Sequence, residues 1–274
     1  MVRMRLTISV PSCRAQRAGL VLLLTAALAG CGSTPREDDK GSAEKLYAEA
    51  RDDMAAGSYD RAIKTLEKVE GRAAGTLLAQ QASLELAYAY WKTGERAQAL
   101  STVERFIKLH PSSPALDYAL YLKGLINFND ILGILSSIAR QDLSERDQQA
   151  SRDAWQAFKQ LVDQVPNSRY SADARARMDY IVNALAEYEL HVARYYYRRG
   201  AYVAAANRAQ QTVREYQDSP SVEEALYIMA RSYDRLGLND LRDDADRVLK
   251  RNFPDSSYLR EGLRRREDPW WKFW

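Results

Sequence analysis

The chain has 274 residues, 40 of them basic and 37 acidic, for a formal charge of +3, and two cysteines, Cys13 and Cys31. A charge so near balance provides no broad basic face for nucleic acid. Two cysteines cannot make a disulfide-stapled scaffold, so the chain must fold by core burial.

In chain order, Arg3, Arg5, Arg14 and Arg17 form a basic leader without acids, and Leu20 to Leu28 reads LVLLLTAAL. That run is too short to span a bilayer, which needs roughly 20 apolar residues. Leu28-Ala29-Gly30-Cys31 follows, and two small residues before a cysteine resemble a bacterial lipobox. The pattern predicts a signal peptide over 1–30 and acyl chains, palmitate among them, on Cys31; an ordinary signal peptide with a chance cysteine is the alternative. Removing the four arginines leaves 36 basic against 37 acidic residues, or −1. No aspartate follows Cys31, which favours the outer membrane. Residues 32–42, GSTPREDDKGS, read as a flexible tether.

From Ala43 the pattern is helical, and no Val/Ile/Thr run alternates with period 2. Prolines at 111, 114, 166, 220 and 254 fall between apolar-periodic segments and mark helix ends. Gly57 and Gly94 stand 37 apart, as do Gly200 and Gly237, each between two amphipathic segments. The tetratricopeptide pattern fits the second unit best: Leu86, Ala87 and Tyr90, then Ala99, Val103, Phe106 and Pro111. The reading is an all-α tetratricopeptide-repeat solenoid of five helix pairs, 43–71, 77–110, 114–165, 171–217 and 220–253. In the third pair Ala154, Phe158 and Leu161 come late, so an insertion falls near 130–146. The domain reading is an N-terminal half over 43–165, a C-terminal half over 171–255, and a tail over 256–274.

His110 and His191 have no second histidine at ligand spacing, and GxSxG, HExxH and glycine-rich phosphate loops are absent. The reading is a protein without a cofactor or metal, and not an enzyme. Repeat geometry puts the first helix of each pair on the concave surface. Tyr88, Trp91, Tyr118, Tyr121 and Phe128 then form an aromatic lining suited to an extended peptide, with Leu84 beside them. In the second half the inward positions include Leu190, Arg194, Arg198, Arg231 and Arg235, charges that suit a folded polar partner. The alternative is that the rings merely pack between helices. The tail, with Arg264–Arg266 and Trp270, Trp271, Phe273 and Trp274, would be a costly exposed patch; it docks, meets lipid, or extends without order.

Three stretches carry a family resemblance: residues 84–125, with RFIKLHP and DYALYLKGL; AWQAFKQLVDQVPNSRYSADA at 154–174; and EYELHVARYYYRRGAYVAAANRA at 187–209. Together with the lipobox they resemble the BamD (ComL) family of outer-membrane lipoproteins. The resemblance implies five tetratricopeptide repeats on the periplasmic face of the outer membrane. It implies partners in BamA, the other lipoproteins of the β-barrel assembly complex, and unfolded β-barrel clients. It assigns the N-terminal half to clients and the C-terminal half to BamA, and matches Arg208 to a position facing the last POTRA domain. The stretch GRAAGTLLA, residues 71–79, departs from the aromatic, proline-containing turn usual in the family. The competing readings are a repeat adaptor of a division or cell-wall machine, and a cell-wall enzyme that docks through its repeats.

Overall fold

The computed structural model describes residues 37–128 and 148–263. Cys31, the insertion expected at 130–146 and the Trp-rich end of the tail lie outside the described residues. Those residues form eleven helices and no strand: α1 (Glu37–Ala55), α2 (Tyr59–Arg72), α3 (Leu77–Lys92), α4 (Arg96–Leu109), α5 (Leu116–Asn127), α6 (Gln148–Gln164), α7 (Ser171–Arg198), α8 (Tyr202–Glu215), α9 (Ser221–Arg235), α10 (Asn239–Asn252) and the short α11 (Ser257–Glu261). The first ten are the five pairs read from the sequence. One boundary moves: α1 begins at Glu37, inside the stretch read as tether.

The turn within four of the pairs has one chemistry. Gly57, Gly94, Gly200 and Gly237 adopt φ of 72°, 84°, 78° and 71°, the left-handed region that a Cβ disfavours. The next residue then donates back into the first helix: Ser58 to Asp53 at 2.8 Å, Glu95 to Tyr90 at 2.8 Å, Ala201 to Tyr196 at 3.0 Å and Leu238 to Tyr233 at 3.0 Å. This bond satisfies carbonyls that the helix end would orphan. The turns between pairs are also repeated. The N–H groups of Ser113, Ser168, Ser219 and Ser256 donate to the carbonyls of His110, Val165, Tyr216 and Phe253 at 3.0–3.1 Å.

The chain divides at Leu86 into two compact units, and α3 runs through the division. In the first unit α1 packs on α2, burying Ala50, Ala62, Leu66 and Val69. The Tyr47 hydroxyl donates to Glu85 at 2.9 Å, and Arg61 pairs with Asp53 at 2.8 Å.

In the second unit helices pack in series from α4 to α10, with α9 also touching α7 and α11. α7 is 28 residues long and serves two cores. Its first half places Ala174, Ile181 and Leu185 against Leu120, Phe158 and Leu161; its second half places Leu190 and Ala193 against Ala205, Ala225 and Ile228. Full burial of a Leu, Ile or Phe contributes about 1.5–3 kcal/mol, so these interlocking cores hold adjacent pairs together.

Candidate functional site

Two side-chain groups in the second unit fall where the sequence placed binding. The first lies between α5 and the start of α7. Tyr118 and Tyr121 share a face of α5, and Phe128 caps its end. Opposite stands Tyr170, immediately before α7, whose ring stacks on Tyr121 at 4.7 Å and 16°. Tyr118 lies 5.7 Å from the same ring, and Phe128 meets Tyr180 edge-on at 5.8 Å. Beneath them the fully buried Phe158 stands 6.0 Å from Tyr121 and 6.2 Å from Phe128.

Polar groups fix this strip. The Tyr121 hydroxyl donates to Asp173 at 2.7 Å, and Arg177 Nε donates to the same carboxylate oxygen at 2.6 Å. The Arg177 guanidinium also lies 4.9 Å over the Phe128 ring. Burial works to raise the Asp173 pKa, but the bonds from Tyr121 and Arg177 prevail and hold it below the ordinary carboxylate value. Burial, then the bond to Asp173, pushes the Tyr121 phenol up. The result is a half-exposed row of rings with one ionised carboxylate and one guanidinium, a surface that takes apolar side chains and a few polar groups.

The structure brings Tyr118, Tyr121 and Phe128 into this network. Tyr88 and Trp91 pair with each other on α3, edge to face at 5.7 Å, with Lys92 Nζ 5.4 Å from the Trp91 ring. Leu84 and Leu190 do not line a surface: they are 5% and 1% exposed and belong to the core. Tyr170, Asp173, Arg177 and Tyr180 were missed by the sequence reading. Their signal is a spacing of three to four residues on the face that opens α7, which the tetratricopeptide pattern alone does not mark as part of the lining.

The second group is the arginines. Arg194 on α7 makes two bonds to Glu224 on α9 and a third to Glu187 at 2.7 Å. Glu224 also accepts from the Tyr258 hydroxyl at 2.8 Å. Arg194 is therefore a clasp between the first helices of pairs four and five. Arg231, 37 residues on, bonds both oxygens of Asp246 on α10 at 3.0 and 2.8 Å and lies 5.5 Å over Tyr227. Arg198 and Arg235, which end α7 and α9, are exposed. Arg208 on α8 donates to Glu189 at 2.9 Å, with side-chain exposures of 41% and 3%. The bond to Glu189 holds the Arg208 charge firmly. One guanidinium nitrogen thus anchors a buried carboxylate while much of the group faces solvent, ready for a second acceptor.

Among the described residues, no group of three or more His, Cys, Asp or Glu is placed to hold a metal ion, and no helix is long and apolar enough to cross a membrane.

Comparison with known proteins gives consistent matches. The family model YfiO, described as outer membrane lipoprotein, matches residues 39–249. A relative in Neisseria meningitidis serogroup A, "Outer membrane protein assembly factor BamD", is 46% identical over 93% of this chain and 98% of its own length. A relative of the same name in Haemophilus influenzae is 36% identical over 85% of this chain and 89% of its own length. Among solved structures, that of MamA protein aligns over 82% of this chain and 98% of its own, with 16% identity and a TM-score of 0.37.

Proposed function

The chain belongs to the YfiO family of outer membrane lipoproteins, and from that premise we propose that it is the lipid-anchored scaffold subunit of a β-barrel assembly complex, binding BamA through its C-terminal pairs and unfolded β-barrel clients through its aromatic strip. The observation that carries the client half is the strip of Tyr118, Tyr121, Phe128 and Tyr170. Its rings are half-buried and held by Phe158 and Asp173, so they offer an apolar surface that is already ordered before a peptide arrives. Preorganisation lowers the entropic cost of binding. An extended client with alternating apolar side chains matches such a row.

The BamA half rests on Arg208, a half-exposed guanidinium whose rotamer is set by Glu189, and on the exposed Arg198 and Arg235. Arg194 and Arg231 support that surface from within, since their charges are met by Glu224 and Asp246. Cys31 supplies the anchor to the periplasmic face of the outer membrane, and the role is non-catalytic. Copurification from detergent-solubilised outer membrane tests the reading. Recovery of a β-barrel protein with POTRA domains, dependent on Arg208, supports it. Recovery of division or cell-wall synthesis proteins instead replaces it with the adaptor reading.

A further inference from the structure

The last helix pair ends differently from the other four. After the Ser256 turn, α11 starts where a sixth first helix would, and it repeats the contacts of its predecessor. Ser221 at the start of α9 bonds Glu187 at 3.3 Å; Tyr258, 37 residues later, bonds Glu224, itself 37 residues after Glu187, at 2.8 Å. Leu259 packs with Val222, Leu226 and Leu249. The stub then stops at Gly262, whose φ of 72° takes the chain out of the helix beside the Tyr227 hydroxyl.

Where the rest of a sixth helix would continue, the otherwise charged surface of the fifth pair exposes four large apolar side chains. Leu236, Leu238, Leu241 and Val248 are 37%, 45%, 46% and 38% exposed. At the same four positions the fourth pair carries Arg199, Ala201, Ala204 and Gln211, which bury no large apolar group. A terminal repeat ordinarily turns a polar face outward; this one does so with Asp240, Asp243, Asp244, Arg247 and Lys250, yet keeps those four apolar side chains among the charges. The chain supplies a matching segment directly beyond it. Residues 264–274 contain three arginines, then Glu267, Asp268, Pro269, and four large rings in the last five positions.

We propose that this Trp-rich tail is the occupant of the apolar end of the fifth pair, capping the repeat array in place of a complete sixth helix. The reach suffices. Leu236 and Leu238 lie nine and eleven residues past Tyr227, about 14–17 Å along the helix and turn. Trp270 and Trp271 lie seven and eight residues past Leu263, up to about 23–28 Å of extended chain. Asp234 and Asp240, close in sequence to Leu236, Leu238 and Leu241, are exposed, Asp234 bonded to Arg242 at 3.2 Å, and offer carboxylates to a segment that carries Arg264–Arg266. Tethering helps further, because a short linker places its ligand at an effective concentration on the order of millimolar. The inference stands independently of any partner, since it concerns one chain alone.

The test uses the full mature chain with Cys31→Ser, and with Trp91→Phe and Trp155→Phe so that only the tail tryptophans fluoresce. Their acrylamide quenching is compared with that of a synthetic peptide of residues 264–274. The expectation is quenching at least about threefold weaker in the protein, independent of protein concentration. Leu238→Gln with Leu241→Gln, both at exposed positions, should return quenching to the peptide value while the helical circular dichroism and melt persist. Peptide-like quenching in the parent protein overturns the proposal. So does protection that survives the double substitution, protection that grows with protein concentration (docking on a second copy), or protection that appears only with phospholipid vesicles.

Discussion

Gly124 on α5 lies under the ring of Phe158 on α6, so close that a Cβ at Gly124 would stand 2.3 Å from Phe158 Cε1. Phe158 is fully buried and cannot swing away. Gly124→Ala should therefore destabilise the second unit by about 1–3 kcal/mol, the range for overpacking a core. In an exposed helix the same change would stabilise by about 0.5–1 kcal/mol. Urea denaturation followed by circular dichroism measures the sign. A higher midpoint for the alanine variant would mean that α5 and α6 separate at no cost.

Arg208 and Glu189 make charge reversal a poor probe of docking. Arg208→Glu puts a second carboxylate beside one whose side chain is 3% exposed. That should cost about 1–3 kcal/mol of fold stability, as expected when a buried charged group loses its partner. Arg208→Lys keeps the charge beside Glu189 but loses the planar fork. It should melt within about 1 kcal/mol of the parent and still reduce BamA recovery in a pull-down. Equal recovery with the lysine variant would remove Arg208 from the interface.

In the first unit, burial and then the bond to Glu85 push the Tyr47 phenol from 10.0 to about 12. The sign follows from linkage. A raised folded pKa favours the neutral form, so the contribution is complete below the unfolded value near 10 and is lost as pH rises towards 12. Tyr47→Phe has no proton to lose there. Paired denaturant melts at pH 9 and at pH 11.5, values chosen as roughly flanking that window, should show the parent losing stability relative to the phenylalanine variant. A constant difference would show that the hydroxyl ionises as easily folded as unfolded.

The helix pairs were legible because their punctuation is local. Two sets of glycines 37 residues apart and a proline after most second helices answer to backbone geometry, which sequence records directly. The aromatic strip was half legible. Tyr118, Tyr121 and Phe128 follow helical spacing on α5, but their partner Tyr170 lies 49 residues beyond Tyr121, and only tertiary packing pairs them. The arginines were the least legible. Periodicity placed Arg194 and Arg231 on the same face as Arg198 and Arg235, yet it could not tell which charges meet Glu224 and Asp246 and which meet solvent.

The Tyr88–Trp91 pair on α3 is a second aromatic group in the half assigned to clients, and it differs from the strip in what holds it. Trp91 lies on α3 against Tyr88 and Lys92, with no fully buried ring beneath it in that contact set. Tyr121 is stacked on Tyr170, packed over Phe158 and bonded to Asp173. Tyr121→Ala should therefore lower stability by about 2–4 kcal/mol through lost packing, and Trp91→Ala by no more than about 1 kcal/mol. Client capture needs a gentler change at Tyr121. Tyr121→Phe keeps the stacked ring and removes only the hydroxyl that orients Asp173, so it should stay folded. Ring contacts contribute about 0.5–1.5 kcal/mol each beyond area burial, so losing one should weaken capture up to roughly tenfold. Trp91→Ala should thus reduce photocrosslinking to a peptide from the C-terminus of a β-barrel protein, while Tyr121→Phe should retain most of it. If Trp91→Ala captures the peptide as well as the parent, Trp91 leaves the client surface. If Tyr118→Ala and Phe128→Ala then also capture it normally in their folded fractions, the strip is core and clients bind elsewhere.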